Sequence, residues 1–254
     1  MAHFYLADDI GASDLAVGRL LVLAGQEARH AVTVSRVRSG EGILVGDGRG
    51  TIASGTVTSA EPQRLELRVD AVEAHPEPSP RVVLVQALAK GDRDELAVQA
   101  ATELGVDAVI PWQAQRSVSR WEGQKVAKGR DRWRAIVREA AKQSIRPRVP
   151  EVEPLATTKD LVRMAATFRV LVLVLDPTAE ARLSRLDLAA ADGDADAATD
   201  VLLVVGPEGG ISPAEVEALR EAGAIPVALG SGILRTSTAG PAALALVNAG
   251  LGRW

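Results

Sequence analysis

The stretch Val201 to Gly230, VLLVVGPEGGISPAEVEALREAGAIPVALG, decides the fold class, because three physical patterns follow one another within it. Val201 to Val205 is a continuous run of Val and Leu, which suits a strand buried on both faces of a parallel sheet. Ser212-Pro213-Ala214-Glu215 then supplies an N-cap, a proline at the first helical position and a capping glutamate. Gly223 ends that helix just before a second strand-like run, Ile225 to Leu229. Strand, loop, helix and strand in this order predict a parallel α/β unit.

Working outward, Arg81 to Leu88 and Arg169 to Leu175 are also nearly continuous Val and Leu and are read as further buried strands. Between them, Asp92 to Leu104 predicts a helix. Asp92 and Glu95 have capping-box spacing, Ala97, Ala100, Ala101 and Leu104 share one face, and Gly105 follows as the stop. Asp131 to Ser144 predicts another, with Trp133, Ile136, Val137, Ala140 and Ala141 on an apolar face and Arg130, Arg134, Arg138 and Lys142 recurring every fourth residue on another. Asp187 to Asp200, rich in Ala and Asp, has no apolar face and reads as a solvated loop. No internal repeat is present.

The first 74 residues follow a different pattern. Short runs rich in Val, Leu and Thr (Arg19 to Leu23, Gly42 to Val45, Ile52 to Thr58, Leu65 to Val72) are separated by glycine-rich turns such as Gly46 to Gly50, GDGRG, which predicts a small β-barrel or sandwich. His75 to Pro80, HPEPSP, carries three prolines in six residues and reads as a linker. The expected division is therefore 1–74, a linker at 75–80, and an α/β domain at 81–254.

Composition narrows the chemistry. Of 254 residues 47% are hydrophobic, enough for a substantial core, yet no apolar run approaches the length of a membrane span. The amino terminus MAHFYLADDI lacks a signal-peptide pattern, so a cytoplasmic address is expected. There is no cysteine, hence no disulfide, thiolate metal site or cysteine nucleophile. His3, His30 and His75 have no ligand spacing, and no metal is expected. The net charge of −4 is unevenly spread: Arg116 to Arg148 holds eleven Arg and Lys against Glu122, Asp131 and Glu139, a local +8 that leaves −12 elsewhere. That stretch is a candidate phosphate footprint.

Ligands in open α/β sheets collect beyond the carboxyl ends of the strands. Three loops meet that description: Leu175-Asp176-Pro177, Gly206 to Gly210, and Gly230 to Thr236. Their five glycines suit a ligand lying close to the backbone, and the second loop runs into a capped helix whose dipole favours a negative group. GPEGGIS lacks the lysine of a P-loop and is neither GxGxxG nor GxSxG. Spacing alone leaves two readings open, tight strand-to-helix turns or a small-molecule site.

GPEGGIS at Gly206 to Ser212, followed by LGSGILRTSTAG at Leu229 to Gly240, resembles the signature of the SPOUT RNA methyltransferases. LAKGDRDELAVQAATELGVDAVIPWQAQRS at Leu88 to Ser117 and RWRAIVREAAKQSIRPRVPEV at Arg132 to Val152 are similar to one of them, the RsmE family, which methylates N3 of a uridine in 16S ribosomal RNA. HAVTVSRVRSGEGILVGDGRG at His30 to Gly50 carries a weaker likeness. The resemblance implies a SPOUT-type parallel sheet with a carboxyl-terminal trefoil knot around S-adenosylmethionine, preceded by a PUA-like β-barrel that helps to grip RNA. It also implies a homodimer that completes each active site, acting on 16S rRNA in the small ribosomal subunit.

Carried onto this chain, the resemblance places Leu175, Gly206, Pro207, Glu208, Gly209, Gly210, Leu229, Gly230, Ser231, Ile233, Leu234 and Thr236 around the cofactor, with Leu and Ile flanking the adenine. Arg235 is expected near the transferred methyl, stabilising an anionic uracil, with a loop salt bridge as the alternative. The family usually reads LRTETA where this chain has Leu234-Arg235-Thr236-Ser237-Thr238-Ala239, so Ser237 stands in place of a carboxylate. Glu208 is the nearest motif carboxylate left, with a structural role as an equal reading, and no general base is assigned. Methylation at uridine C5 usually needs a cysteine adduct, so the absence of cysteine agrees with N3 or a ribose oxygen as acceptor.

For RNA, the expected phosphate contacts are Arg36, Arg38, Arg116, Arg138, Lys142, Gln143, Arg146 and Arg148, against the alternative of a solvated helix face. Trp112 and Trp121 are candidates for base stacking, and Trp133, on the apolar helix face, reads as core. Two rival functions are a ribose 2′-O-methyltransferase of the same fold and a non-enzymatic RNA-binding assembly factor.

Overall fold

The structure is a computed structural model that describes residues 3–7, 10–11, 14–167, 169–188 and 200–254. The chain separates into two compact units, one of residues 1–77 with 141–149, the other of residues 78–140 with 150–254. Of the expected solvated loop from Asp187 to Asp200, residues 189–199 lie outside the described residues; within its ends Leu188 is buried and Asp200 opens a strand, so neither belongs to a solvated loop.

The first unit is built on one five-stranded sheet in the order β1 (His3–Leu6), β3 (Gly42–Gly46), β4 (Thr51–Glu61), β5 (Arg64–Ala74), β2 (Leu20–Ala24). Only β1 runs parallel to its neighbour; the other ladders are antiparallel. Alternation buries Ala53 and Val57 on β4 and Leu65, Leu67 and Val69 on β5 against Tyr5, Leu23, Ile43 and Val45. The β4–β5 register shifts twice, and at the first shift a Cβ on Gly55 would come within 2.5 Å of the Arg68 carbonyl oxygen, so only glycine fits this bulge. Among the described residues no ladder joins β1 to β2, so the sheet is not closed by hydrogen bonds into the expected barrel. The strand β1, the short helix α1 (Gly25–Arg29) and the π-turn at His30–Val34 were not legible as periodic patterns.

Residues 141–149 lie in this unit although they are distant in sequence. Val149 donates to the Gly48 carbonyl at 3.0 Å, Gly50 donates to the Pro147 carbonyl at 2.9 Å, and the Arg148 guanidinium donates to the His75 carbonyl at 2.9 Å. Lys142 is buried and paired with Glu27 at 2.8 Å, its ammonium 5.7 Å from the centre of the Tyr5 ring.

The second unit is a six-stranded parallel sheet in the order β11 (Ile225–Val227), β9 (Val170–Leu175), β10 (Asp200–Val205), β6 (Val82–Ala87), β7 (Ala108–Trp112), β8 (Glu151–Val152). All six residues of β6 are buried, as a central strand covered on both faces requires. On one face Val83, Val85, Val172 and Val204 pack with Leu161 of α4 (Thr158–Ala165) and Leu219 of α5 (Pro213–Glu221). On the other, α6 (Thr236–Gly250) comes so close that a Cβ on Gly240 would sit 2.9 Å from Leu84, and α2 (Arg93–Glu103) packs beside it.

Two helix starts differ from the sequence reading. Asp92 precedes α2 in the left-handed region (φ +57°) and makes no capping hydrogen bond; the buried Asp94 carboxylate instead accepts from the Ala89 N–H at 3.1 Å. The helix expected from Asp131 begins at Gln124 and runs to Gln143 as α3, and Gly129 within its first two turns does not break it. The boxed start of α5 forms in full: Ser212 Oγ accepts from the Glu215 N–H while Glu215 takes the Ser212 N–H at 3.1 Å. No described helix is long and apolar enough to cross a membrane.

Candidate active site

Three adjacent parallel strands, β11, β9 and β10, end on the same side, so the loops that leave them must converge. They enclose a cavity of about 840 Å³ lined by Leu175–Thr178, Gly206–Ile211 and Leu229–Thr236, with Ser231 outside the lining. The structure thus brings Leu175, Gly206, Pro207, Glu208, Gly209, Gly210, Leu229, Gly230, Ile233, Leu234, Arg235 and Thr236 together. Ile233 is 85% exposed and Leu234 43%, apolar side chains presented on the cavity loop without a protein cover among the described residues.

One buried polar side chain ties the loops to the sheet. Gln86, fully buried in β6, donates to Thr236 Oγ1 at 2.9 Å, and Thr236 donates in turn to the Gly206 carbonyl at 2.7 Å. This relay joins the second loop to the start of α6. Its sequence signal is Gln86 itself, the single polar residue in VVLVQA. Arg182 donates to the Gly230 carbonyl at 2.6 Å and pins the third loop, a contact no local pattern signals. Arg116 lines the cavity and donates to the Gly209 carbonyl at 3.1 Å.

The glycines separate by cause. A Cβ on Gly206 would meet Ile211 at 2.7 Å, and Gly210 has φ +70°, so packing and backbone conformation account for these two. A Cβ on Gly230 or Gly232 would meet nothing within 4 Å among the described residues, and neither has positive φ, so no described protein atom requires glycine there.

The two motif carboxylates are engaged. Glu208 accepts from the Lys90 N–H at 3.0 Å and from Arg93 at 3.1 Å through one oxygen. Buried Glu215 takes Gln115 N–H and the Thr158 hydroxyl, both at 2.8 Å, besides its capping bonds, so the negative group at the α5 terminus is supplied by the chain itself. Among the described residues no three His, Cys, Asp or Glu stand together as a metal cluster.

A family model described as an RNA methyltransferase domain matches residues 75–248, and one described as an RNA methyltransferase PUA domain matches residues 23–70. The ribosomal RNA small subunit methyltransferase E of Mycobacterium bovis is 45% identical over 240 residues, which cover 93% of this chain and 89% of that protein. This chain belongs to the RsmE family. The Bacillus subtilis protein of the same name is 33% identical over 89% of this chain and 88% of its own length. The crystal structure of the Neisseria gonorrhoeae ribosomal RNA small subunit methyltransferase E bound to S-adenosyl methionine superposes with a TM-score of 0.83 at 29% identity, covering 98% of each chain. The α/β fold with its parallel sheet and amino-terminal PUA domain is therefore that of the RsmE family.

In this RsmE-family chain the cationic residues are scattered. Arg36 and Arg38 are exposed, and Gln143 is exposed at the end of α3. Arg138 and Arg146 are half-buried, and Arg148 is half-buried on the His75 carbonyl. Lys142 is inside, paired with Glu27, which corrects its reading as a phosphate contact. The four-residue stripe fails for a geometric reason: each step of four advances about 40° around a helix, so Arg130 to Lys142 turns through roughly 120°. Arg130 accordingly donates to the Val152 carbonyl at 2.9 Å, and Arg134 pairs with Asp131. Trp112 and Trp133 are core, whereas Trp121 is half-buried.

Proposed function

We propose that this chain transfers the methyl group of S-adenosylmethionine to N3 of a uridine in 16S ribosomal RNA of the small subunit. The observation that carries the reading is the cavity at the ends of β9, β10 and β11, in a chain of this family. Its volume suits a nucleoside-sized ligand. The open space over Gly230 and Gly232 is the cradle that a flat ligand fills, and the exposed Ile233 and Leu234 offer apolar cover for an adenine. When bound there, the cofactor supplies an electrophilic methyl on a sulfonium.

The chain's own residues bind and orient. Gln86 and Thr236 hold two loops in register, and Arg182 holds the third. Arg235, exposed at the N-cap of α6 and lining the cavity, is the group proposed to stabilise the uracil anion formed when N3 releases its proton to solvent water. Ser237 offers no carboxylate, and Glu208 is held by Lys90 and Arg93, so catalysis is assigned to positioning and Arg235 with no protein base. The finer features follow the family: a trefoil knot in the carboxyl-terminal loops, and a homodimer that completes each site. The pairing of Leu183 and Arg182 with Ala228 and Gly230 joins the segment after β9 to the loop after β11, a contact a knot of these loops requires.

Labelled S-adenosylmethionine incubated with unmodified small subunits, followed by nucleoside mapping, tests the reading. Label in 3-methyluridine is the expected result, and label in a ribose-methylated nucleoside overturns the acceptor. Arg235→Ala is expected to lower turnover by about 100- to 1,000-fold with cofactor affinity unchanged; full turnover removes Arg235 from the mechanism.

A further inference from the structure

A second cavity, of about 410 Å³, lies in the same unit between the turn before α2, the loop before α3 and α3 itself. Adjacent residues at the start of α2 line the two cavities: Arg93 the larger, its neighbours Asp92 and Asp94 the smaller. Nothing in methyl transfer as derived above uses it.

Its aromatic wall is Trp121. The backbone N–H of Trp121 donates to Gln113 Oε1 at 3.1 Å, and the Trp121 ring meets Trp133 edge-on with centroids 5.3 Å apart. Gly129, inside α3, also lines this cavity, and a Cβ there would overlap the Trp121 indole. A glycine inside a helix costs about 1 kcal/mol relative to alanine, so helix stability is given up to seat this ring. Trp121 is nevertheless half-buried rather than enclosed, and Val118 at the rim is 68% exposed. The polar lining is more acidic than basic, with Asp92, Asp94 and Glu95 against Lys90 and Arg132, and Arg132 is already paired with Glu95. Burial pushes the Asp94 carboxyl above its ordinary value, against the N–H bonds of Ala89 and Glu95. Such a lining disfavours phosphate and favours a neutral ring with donor groups. Asp92, exposed and making no cap bond, offers a carboxylate for an exocyclic amino group.

We propose that this cavity is a subsite for an unpaired, amino-bearing base of the RNA substrate near the methylated uridine, stacked on Trp121 and recognised by Asp92. The inference rests on the RNA-substrate reading above and not on the acceptor atom. The subsite would anchor the strand beside the methyl-transfer cavity, a role that stacking serves in single-stranded RNA recognition.

The test measures binding of fluorescein-labelled cytidine and uridine dodecamers at fixed salt, with cofactor affinity and melting temperature followed in parallel. The unaltered protein is expected to bind the cytidine dodecamer more tightly. Trp121→Leu, which keeps apolar volume without a ring, is expected to weaken its binding by about 5- to 100-fold, and Trp121→Phe to restore most of it. Asp92→Gly, compatible with the left-handed backbone, is expected to abolish the preference for cytidine over uridine while leaving the fold intact. Unchanged affinity in Trp121→Leu, or a cytidine preference that survives Asp92→Gly, overturns the subsite. Should Trp121→Leu fail to fold, Asp92→Gly decides alone. Because methyl transfer is not the readout, a wrong acceptor atom leaves this result standing, and a failed subsite leaves the methyltransferase reading standing.

Discussion

Gln86 sits where an apolar residue would pack as well, fully buried in the centre of a parallel sheet. Its amide donates to both the Ala87 carbonyl at 3.1 Å and Thr236, while its own Oε1 has no hydrogen-bond partner among the described residues. A polar group kept there at that disadvantage is explained by what it holds, the junction of two cavity loops. Gln86→Leu, close in volume, is expected to destabilise by about 1–3 kcal/mol, since buried partners lose their donor, and to weaken S-adenosylmethionine binding. Denaturant unfolding and calorimetry read the two effects. A stability loss with cofactor affinity intact would make Gln86 a core residue only. Lys142 teaches the complementary lesson: paired with Glu27 inside the first unit, it would report folding rather than RNA affinity if its charge were reversed.

At the scale of the element, the turn between β3 and β4 depends on one carboxylate. Asp47 is buried and accepts the N–H groups of Arg49 at 2.7 Å and Thr51 at 2.9 Å, while Gly48 takes φ +68°. Burial alone pushes its carboxyl up, but the N–H bonds of Thr51 and Arg49, with the Thr51 side chain and the Arg49 charge, together hold it below its ordinary 3.8. A lowered folded value means that the stabilisation is complete above the unfolded value and is lost as pH falls through the folded one. Asp47→Asn is therefore expected to be less stable by about 1–2 kcal/mol at pH 7, with the gap closing below pH 3.8. Unfolding midpoints from pH 7 to pH 3 test this; a gap that does not change with pH removes the carboxylate as its cause.

For the whole molecule, charge is the property that a single segment misrepresents. The stretch Arg116 to Arg148 reads as one basic block, yet the fold divides it between two units and turns several of its cations inward. Arg36 and Arg38, two of the exposed cations of the first unit, remain open to phosphate, Arg36 on a left-handed backbone (φ +58°). Replacing both with Gln is expected to weaken RNA binding and to reduce the slope of log K against log salt by about 1–2. Titration at several salt concentrations measures this, and an unchanged slope places RNA elsewhere on the molecule.

Local physics was enough for much of this protein. Five- to eight-residue runs of Val and Leu, too short for helices and β-branched, suit buried strands, the Ser212–Glu215 box and Gly223 bound their helix within the sequence itself, and the glycine loops follow the strand ends in chain order. Each of those features is set by neighbours a few residues away. The tertiary structure alone decided the rest, because the deciding partner is distant in sequence: Gln86 with Thr236, Arg182 with Gly230, Lys142 with Glu27, and residues 141–149 with the amino-terminal strands. It also separated the glycines, since whether a missing Cβ faces Ile211 or open space depends on what the fold brings opposite.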